Sequence, residues 1–232
     1  MAEKNQYLLF LLTLLQISAH FPTTTVAVKY QAINAAKTTP GGSRFESEIG
    51  IPYTQSIMRT INFFIWDMFK QYSGADRKKV ETVKVFIHQY DGAEAIMYGD
   101  TINVSSIYLQ GYQGDLKWEF TSLLHHEMTH VFQWDGEGRA PIGLSEGMAD
   151  YMILKSNYYP AGFAKPGTGD KWDQGYDFTA RFLEYCEETK SGFVAQLNKM
   201  MRFNYSDDYF FELTGKPVGQ LWSEYKAKYS SL

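Results

Sequence analysis

His126-Glu127-Met128-Thr129-His130 places two imidazoles four residues apart with a carboxylate beside the first. On a helix four residues make about one turn, so both rings project from one face and can grip a single ion. A cation such as Zn²⁺ accepts neutral imidazole nitrogens, and a hydrolytic site uses three protein ligands while keeping a fourth position for water. Glu127 stands next to that position. Its carboxylate can take a proton as the water attacks a carbonyl and can later hand it to a leaving amine. A bare pattern of this kind arises by chance in roughly one chain in a hundred of this length, so the third ligand decides the reading.

One known arrangement adds a histidine six residues after the second, but that position is Gly136, and Gln133 stands where the arrangement needs glycine. The other takes a carboxylate from a following helix, giving a His₂Glu set. Glu146 meets that need. It opens Glu146-Gly147-Met148-Ala149-Asp150, one helical turn from Asp150 on a common face, with a glycine-rich loop before it. The expected roles are His126, His130 and Glu146 as metal ligands, Glu127 as general base, and Asp150 as acceptor for the free ring nitrogen of His126. A solvated acidic face is the plain alternative for Glu146 and Asp150. His125 points elsewhere, as helix neighbours do, and reads as packing or support. Tyr176, in Trp172-Asp173-Gln174-Gly175-Tyr176, is a candidate to reach the oxyanion of a tetrahedral intermediate, with packing as its plainer role.

The elements that must position these groups follow from periodicity. Gln31 to Gly50, with Thr38-Thr39-Pro40-Gly41-Gly42, reads as an irregular lead-in. Ile57, Ile61, Phe64, Ile65 and Met68 recur at helical spacing after Pro52, which predicts a core helix ending near Tyr72. Val83, Val85 and Ile87 alternate as in a half-buried strand closed by His88. One or two further strands are expected between Ala93 and Gln110, broken around Gly99-Asp100, with Thr101 to Ser106 as the candidate edge strand that could receive a substrate and an ordinary core strand as the equal alternative. Helices follow over Leu116 to Trp134 and Leu144 to Ser156, and four more fill Tyr176 to Tyr229. A small sheet followed by helices is an α+β domain.

Composition bounds the rest. The 232 residues suit one domain plus a processed leader, with 44% hydrophobic and 21% charged residues. Net charge is −4 and no Lys/Arg block stands out, so a nucleic-acid partner is not expected. Lys4, the apolar run Tyr7 to Ile17 and the small residues after it predict a secretory signal peptide over residues 1–27, cut after Ala27 or Ala19, with the functional domain over 28–232. That run is too short to span a membrane, and no later stretch is longer. Asn103 and Asn204 head Asn-x-Ser sequons, compatible with a glycoprotein. Cys186 is the single cysteine, so no disulfide forms within the chain.

Several blocks resemble the plant basic secretory protein family: Leu123 to Trp134 around the two histidines, Gly143 to Tyr151, Thr39-Pro40-Gly41-Gly42, Ala75-Asp76-Arg77-Lys78, Trp172 to Tyr176 with Thr179-Ala180-Arg181-Phe182, and Tyr205-Ser206-Asp207-Asp208. The resemblance runs from about residue 26 to the end. It implies a protein secreted to the apoplast, associated with plant defence, with a zincin-like, more narrowly gluzincin-like, metalloprotease domain that binds zinc and acts on peptides or proteins. A defence protein that keeps the metal and works by binding is the second reading. The mildly acidic charge departs from the family's name.

Overall fold

The computed structural model describes residues 27–230, so the expected leader lies outside the described residues except for Ala27. Strand β1 (Lys29–Asn34) and helix α1 (Pro40–Glu48) occupy the stretch expected to be irregular. The Thr-Pro-Gly-Gly run that suggested a loop is a helix start. Thr39 caps it by accepting from Gly42 N at 3.1 Å, and Pro40 fits the first turn. Gly41 and Gly42 serve close approach, since a Cβ at Gly41 would lie 1.7 Å from the Ser106 carbonyl oxygen and one at Gly42 1.9 Å from that of Ala36.

The helical spacing after Pro52 forms α2 (Ile51–Met68), with Met58, Ile61 and Ile65 fully buried. Strand β2 (Thr82–His88) sends Val83, Val85 and Ile87 into the core. β3 (Ala95–Tyr98) and β4 (Thr101–Ser105) turn about Gly99-Asp100, where Gly99 takes a positive φ of 63°. Ile107 and Tyr108 belong to a short helix, α3 (Ser106–Gly111), not to a strand. The sheet runs β1-β2-β4-β3, parallel except for antiparallel β3. The edge therefore differs from expectation: the tight turn folds β3 along the outer side of β4, so β4 is interior and β3 holds the edge.

Helices α4 (Leu116–Phe132) and α5 (Ile142–Ser156) follow, then α6 (Tyr176–Thr189), α7 (Phe193–Met200), α8 (Asp208–Thr214) and α9 (Val218–Tyr229). The architecture is α+β, a small mixed sheet with a mostly helical remainder. α2 and α4 pack together, α2 against β1 and α4 against β3. Aromatic rings tie the tail together: Phe182 meets Trp222 at 5.4 Å and Tyr225 at 5.7 Å, and Trp172 meets Phe210 edge-on at 5.2 Å. Cys186 is fully buried among these helices, and burial pushes its thiol well above the ordinary range. Among the described residues no helix is long and apolar enough to cross a membrane.

Helices α5 and α6 meet at Gly147, where a Cβ would fall 2.3 Å from Thr179 Cγ2. Gly147→Ala is expected to lower folding stability by about 1–3 kcal/mol through overpacking. Chemical unfolding measures this, and an unchanged midpoint would mean that the two helices are not held so closely.

Candidate metal centre

Helix α4 starts at Asp115, which caps it by accepting from Trp118 N at 3.0 Å. Phe120, Leu124, Met128 and Phe132 are fully buried, which leaves His126, Glu127 and His130 for the remaining face, along the wall of the main cleft. The chain leaves α4 through a loop turned by Gly136 and Gly138, both at positive φ. Trp134 N donates to Asn198 Oδ1 at 2.8 Å and Gly136 N to the Met201 carbonyl at 2.7 Å, so this loop is tied to α7 and its end. It delivers α5 with Glu146 and Asp150 facing α4.

His126 Nε2 lies 3.1 Å from His130 Nε2 and 3.1 Å from Glu146 Oε2, and His130 Nε2 lies 3.6 Å from the same oxygen. A small tetrahedral cation with bonds of about 2.0–2.1 Å needs its ligand atoms roughly 3.3 Å apart. The three atoms fit that triangle. His126 Nδ1 faces Asp150 Oδ1 at 2.7 Å, so the ring is oriented from behind.

The same contacts set the protonation of the group. Burial opposes a charge on His126, but hydrogen bonds with Asp150 and Glu146 outweigh it and hold the ring at a pKa of about 10. Burial likewise works against Glu146, and hydrogen bonds from His126 and His130 bring it down to about 2. Glu127 is raised above the ordinary carboxylate range by burial, in part offset by His126 and His130.

Around these groups lies a cleft of about 780 Å³, lined by β3 and its approach at Ala93 to Met97, by α4 and α5, and by Tyr176. Tyr176 takes a φ of 48°, an uncommon conformation for a bulky residue, and its ring stacks on His126 at 6.0 Å. It is thus at the site, more than half exposed. His125 is elsewhere: it stacks on Tyr158 at 5.1 Å, its Nδ1 meets the Thr121 carbonyl at 2.8 Å, and burial drops its pKa to about 4. Three further residues enter that were not singled out as functional. Gln133 Nε2 sits 3.0 Å from His130 Nδ1 and donates to the Ser145 carbonyl at 3.3 Å, linking both helices. Glu94 and Glu119 form an acidic end of the cleft, where burial and then Glu119 raise Glu94, while Tyr108 donates to Glu119. Gln133 was visible as the i+3 neighbour of His130. Glu94 and Glu119 had no local signal, because folding alone brings their segments together.

Fold and site together define a small-sheet α+β protein with a metal-capable His/His/Glu group, His126, His130 and Glu146, in its main cleft. The chain matches the family described as peptidase of plants and bacteria over residues 25–225, and it belongs to that family. A Basic secretory protease from Boswellia serrata is 48% identical over 59 residues, which cover 25% of this chain and 67% of the relative.

A divalent cation held by His126, His130 and Glu146 would have to displace the proton on His126, so its affinity is expected to rise with pH, about tenfold per unit for each proton displaced. Competition against a chromophoric chelator between pH 6 and 8 measures this, and a flat profile would remove His126 from the ligand set. Chelator-treated protein is expected to show the complementary trend. A raised histidine pKa stabilises the fold fully below 6.5 and loses that contribution as pH rises through about 10, while the lowered Glu146 contributes above 4.5 and fades as pH falls through about 2. Glu146→Ala is expected to abolish tight binding and Asp150→Ala to weaken it by about 10–100-fold. Unchanged metal content in Glu146→Ala would retire that carboxylate.

Proposed function

We propose that the protein is a secreted, zinc-dependent peptidase of zincin-like fold. The observation that carries this reading is the triangle of His126 Nε2, His130 Nε2 and Glu146 Oε2 beside the Glu127 carboxylate in the main cleft. Two imidazoles and one carboxylate at tetrahedral spacing suit zinc, which supplies a Lewis acid for water and for the scissile carbonyl. Membership of a peptidase family and likeness to a protein named Basic secretory protease support the reaction class and secretion. Delivery to the apoplast and a part in plant defence belong to the same proposal, on the resemblance that the sequence blocks carry.

Glu127 acts as the general base. Its raised pKa makes it a better proton acceptor than an ordinary carboxylate, and the proton it takes can pass to the leaving amine. Asp150 keeps His126 in the tautomer whose Nε2 faces the cleft. Tyr176 stays protonated, because the charge of Glu146 and then burial raise its hydroxyl above the ordinary phenol range. That hydroxyl can donate to the oxyanion of the tetrahedral intermediate. The free edge of β3 lines the cleft and can hold an extended peptide by strand addition. Glu94, Glu119, Asp135 and Asp177 add to the site's own carboxylates, and among the described lining residues there is neither lysine nor arginine. Cationic peptides are the complementary substrates.

Glu127→Ala is expected to keep zinc and to lose about 10²–10⁴-fold in peptide cleavage, measured by metal analysis beside a casein and peptide-library assay. No cleavage by zinc-loaded wild type would leave a binding protein instead. Within the library, peptides rich in lysine or arginine are expected to be cut fastest, and Glu94→Gln with Glu119→Gln to narrow that preference. Equal rates for cationic and acidic peptides would refute the charge complementarity while leaving the peptidase reading in place.

A further inference from the structure

The outer face of the sheet carries a motif that the cleft does not use. The pairing registers align Ile33, Phe86, Asn103 and Ile96 in one row across all four strands. Ile33 is 43% exposed and Ile96 37%, and half-buried Phe86 stacks on His88. Tyr98, two residues along β3 from Ile96 and on the same face, is exposed as well. Their neighbours on the inner face, Val85, Ile87, Ile102 and Val104, are all fully buried. These side chains leave apolar surface on the outer face on both sides of one polar residue, surface that a neighbouring group can take out of water. In its middle stands Asn103, and Asn103-Val104-Ser105 has the form of an N-linked glycan acceptor. Asn103 is half-buried, with its Nδ2 at the surface and donating to the Ile96 carbonyl at a long 3.5 Å.

We infer that Asn103 carries an N-linked oligosaccharide that lies over Ile33, Phe86 and Ile96. The inference rests on the secretory reading above, since the donor is an oligosaccharide on a lipid diphosphate in that compartment. A bond forms between Asn103 Nδ2 and the anomeric carbon of the sugar. The bond from that carbon to the lipid diphosphate breaks, the diphosphate leaves with the electron pair, and Nδ2 loses one proton. Ser105 is 1% exposed and its hydroxyl donates to the Tyr90 carbonyl at 2.5 Å, so transfer precedes closure of β4 between β2 and β3. Once folded, the linkage needs solvent only at Asn103 itself. Asn204-Tyr205-Ser206, headed by an exposed asparagine outside any helix or strand, serves as an internal reference.

The full chain, expressed through a eukaryotic secretory pathway, is mapped by peptide mass before and after an amidase that converts glycosylated asparagine to aspartate. Asn103 is expected to be recovered as aspartate. Asn103→Gln is expected to lose one glycan's mass, to keep its fold, and to bind more hydrophobic dye than Asn204→Gln does. Ser105→Ala is the wrong probe, because that hydroxyl also caps α3 by accepting from Tyr108 N at 3.3 Å; Ser105→Thr keeps both hydroxyl and acceptor motif and should retain the glycan. Asn103 recovered unmodified beside a modified Asn204 overturns the inference and leaves secretion intact. Both sites unmodified in a chain retained inside the cell overturn the secretory reading and the inference with it. A modified Asn103 whose loss leaves dye binding unchanged overturns the covering of the row.

Discussion

Three polar atoms from two helices share a volume small enough for one cation, and this is the arrangement on which the rest of the structure depends. Taking His126, His130, Glu127, Glu146 and Asp150 partly out of water costs free energy that their mutual hydrogen bonds must offset. The offset is sensitive to tenths of an ångström, so α4 and α5 cannot slide. Gln133 links them through His130 and the Ser145 carbonyl, and α5 is held from its other side by α6 and the turn before it. A Cβ at Gly143 would sit 1.9 Å from the Asp173 carbonyl oxygen, and one at Gly147 2.3 Å from Thr179 Cγ2. Thr179 Oγ1 in turn accepts from Gly175 N at 2.8 Å and donates to the Trp172 carbonyl at 2.9 Å, pinning the turn that presents Tyr176. The aromatic tail then clamps Trp172 through Phe210.

The parts of this arrangement that rest on local chemistry could be read from residues alone. Two histidines one turn apart define a helix face, and Val83, Val85 and Ile87 define a strand face, without reference to anything distant. What failed was local in appearance and non-local in cause. Thr-Pro-Gly-Gly has the composition of a turn, but its glycines are fixed by backbone approaching from Ser106 and Ala36. Thr101–Ser105 has the alternation of a strand, but the Gly99-Asp100 turn only joins it to β3, and whether it lies inside or at the edge depends on which of the two pairs with the distant β2. Glu94 and Glu119 were silent for the same reason.

The sheet serves three surfaces at once. Its inner side builds the core with α2 and α4, its free edge at β3 borders the cleft, and its outer side presents Ile33, Phe86 and Ile96 in register. A four-residue edge is short enough to pair with a peptide and too short to template long-range stacking of copies. Ile96 belongs to both edge and outer row, so whatever lies over that row stands close to one wall of the cleft.

Cys186 has a consequence for durability. A lone, fully buried thiol whose ionisation is suppressed gives oxidants, thiol reagents and exchange partners nothing to attack. The cohesion of the described residues then owes nothing to covalent cross-links among them. Phe182, Trp172, Phe210, Trp222 and Tyr225 interlock where a smaller extracellular domain would be stapled. A change of redox medium therefore has no disulfide among the described residues to break.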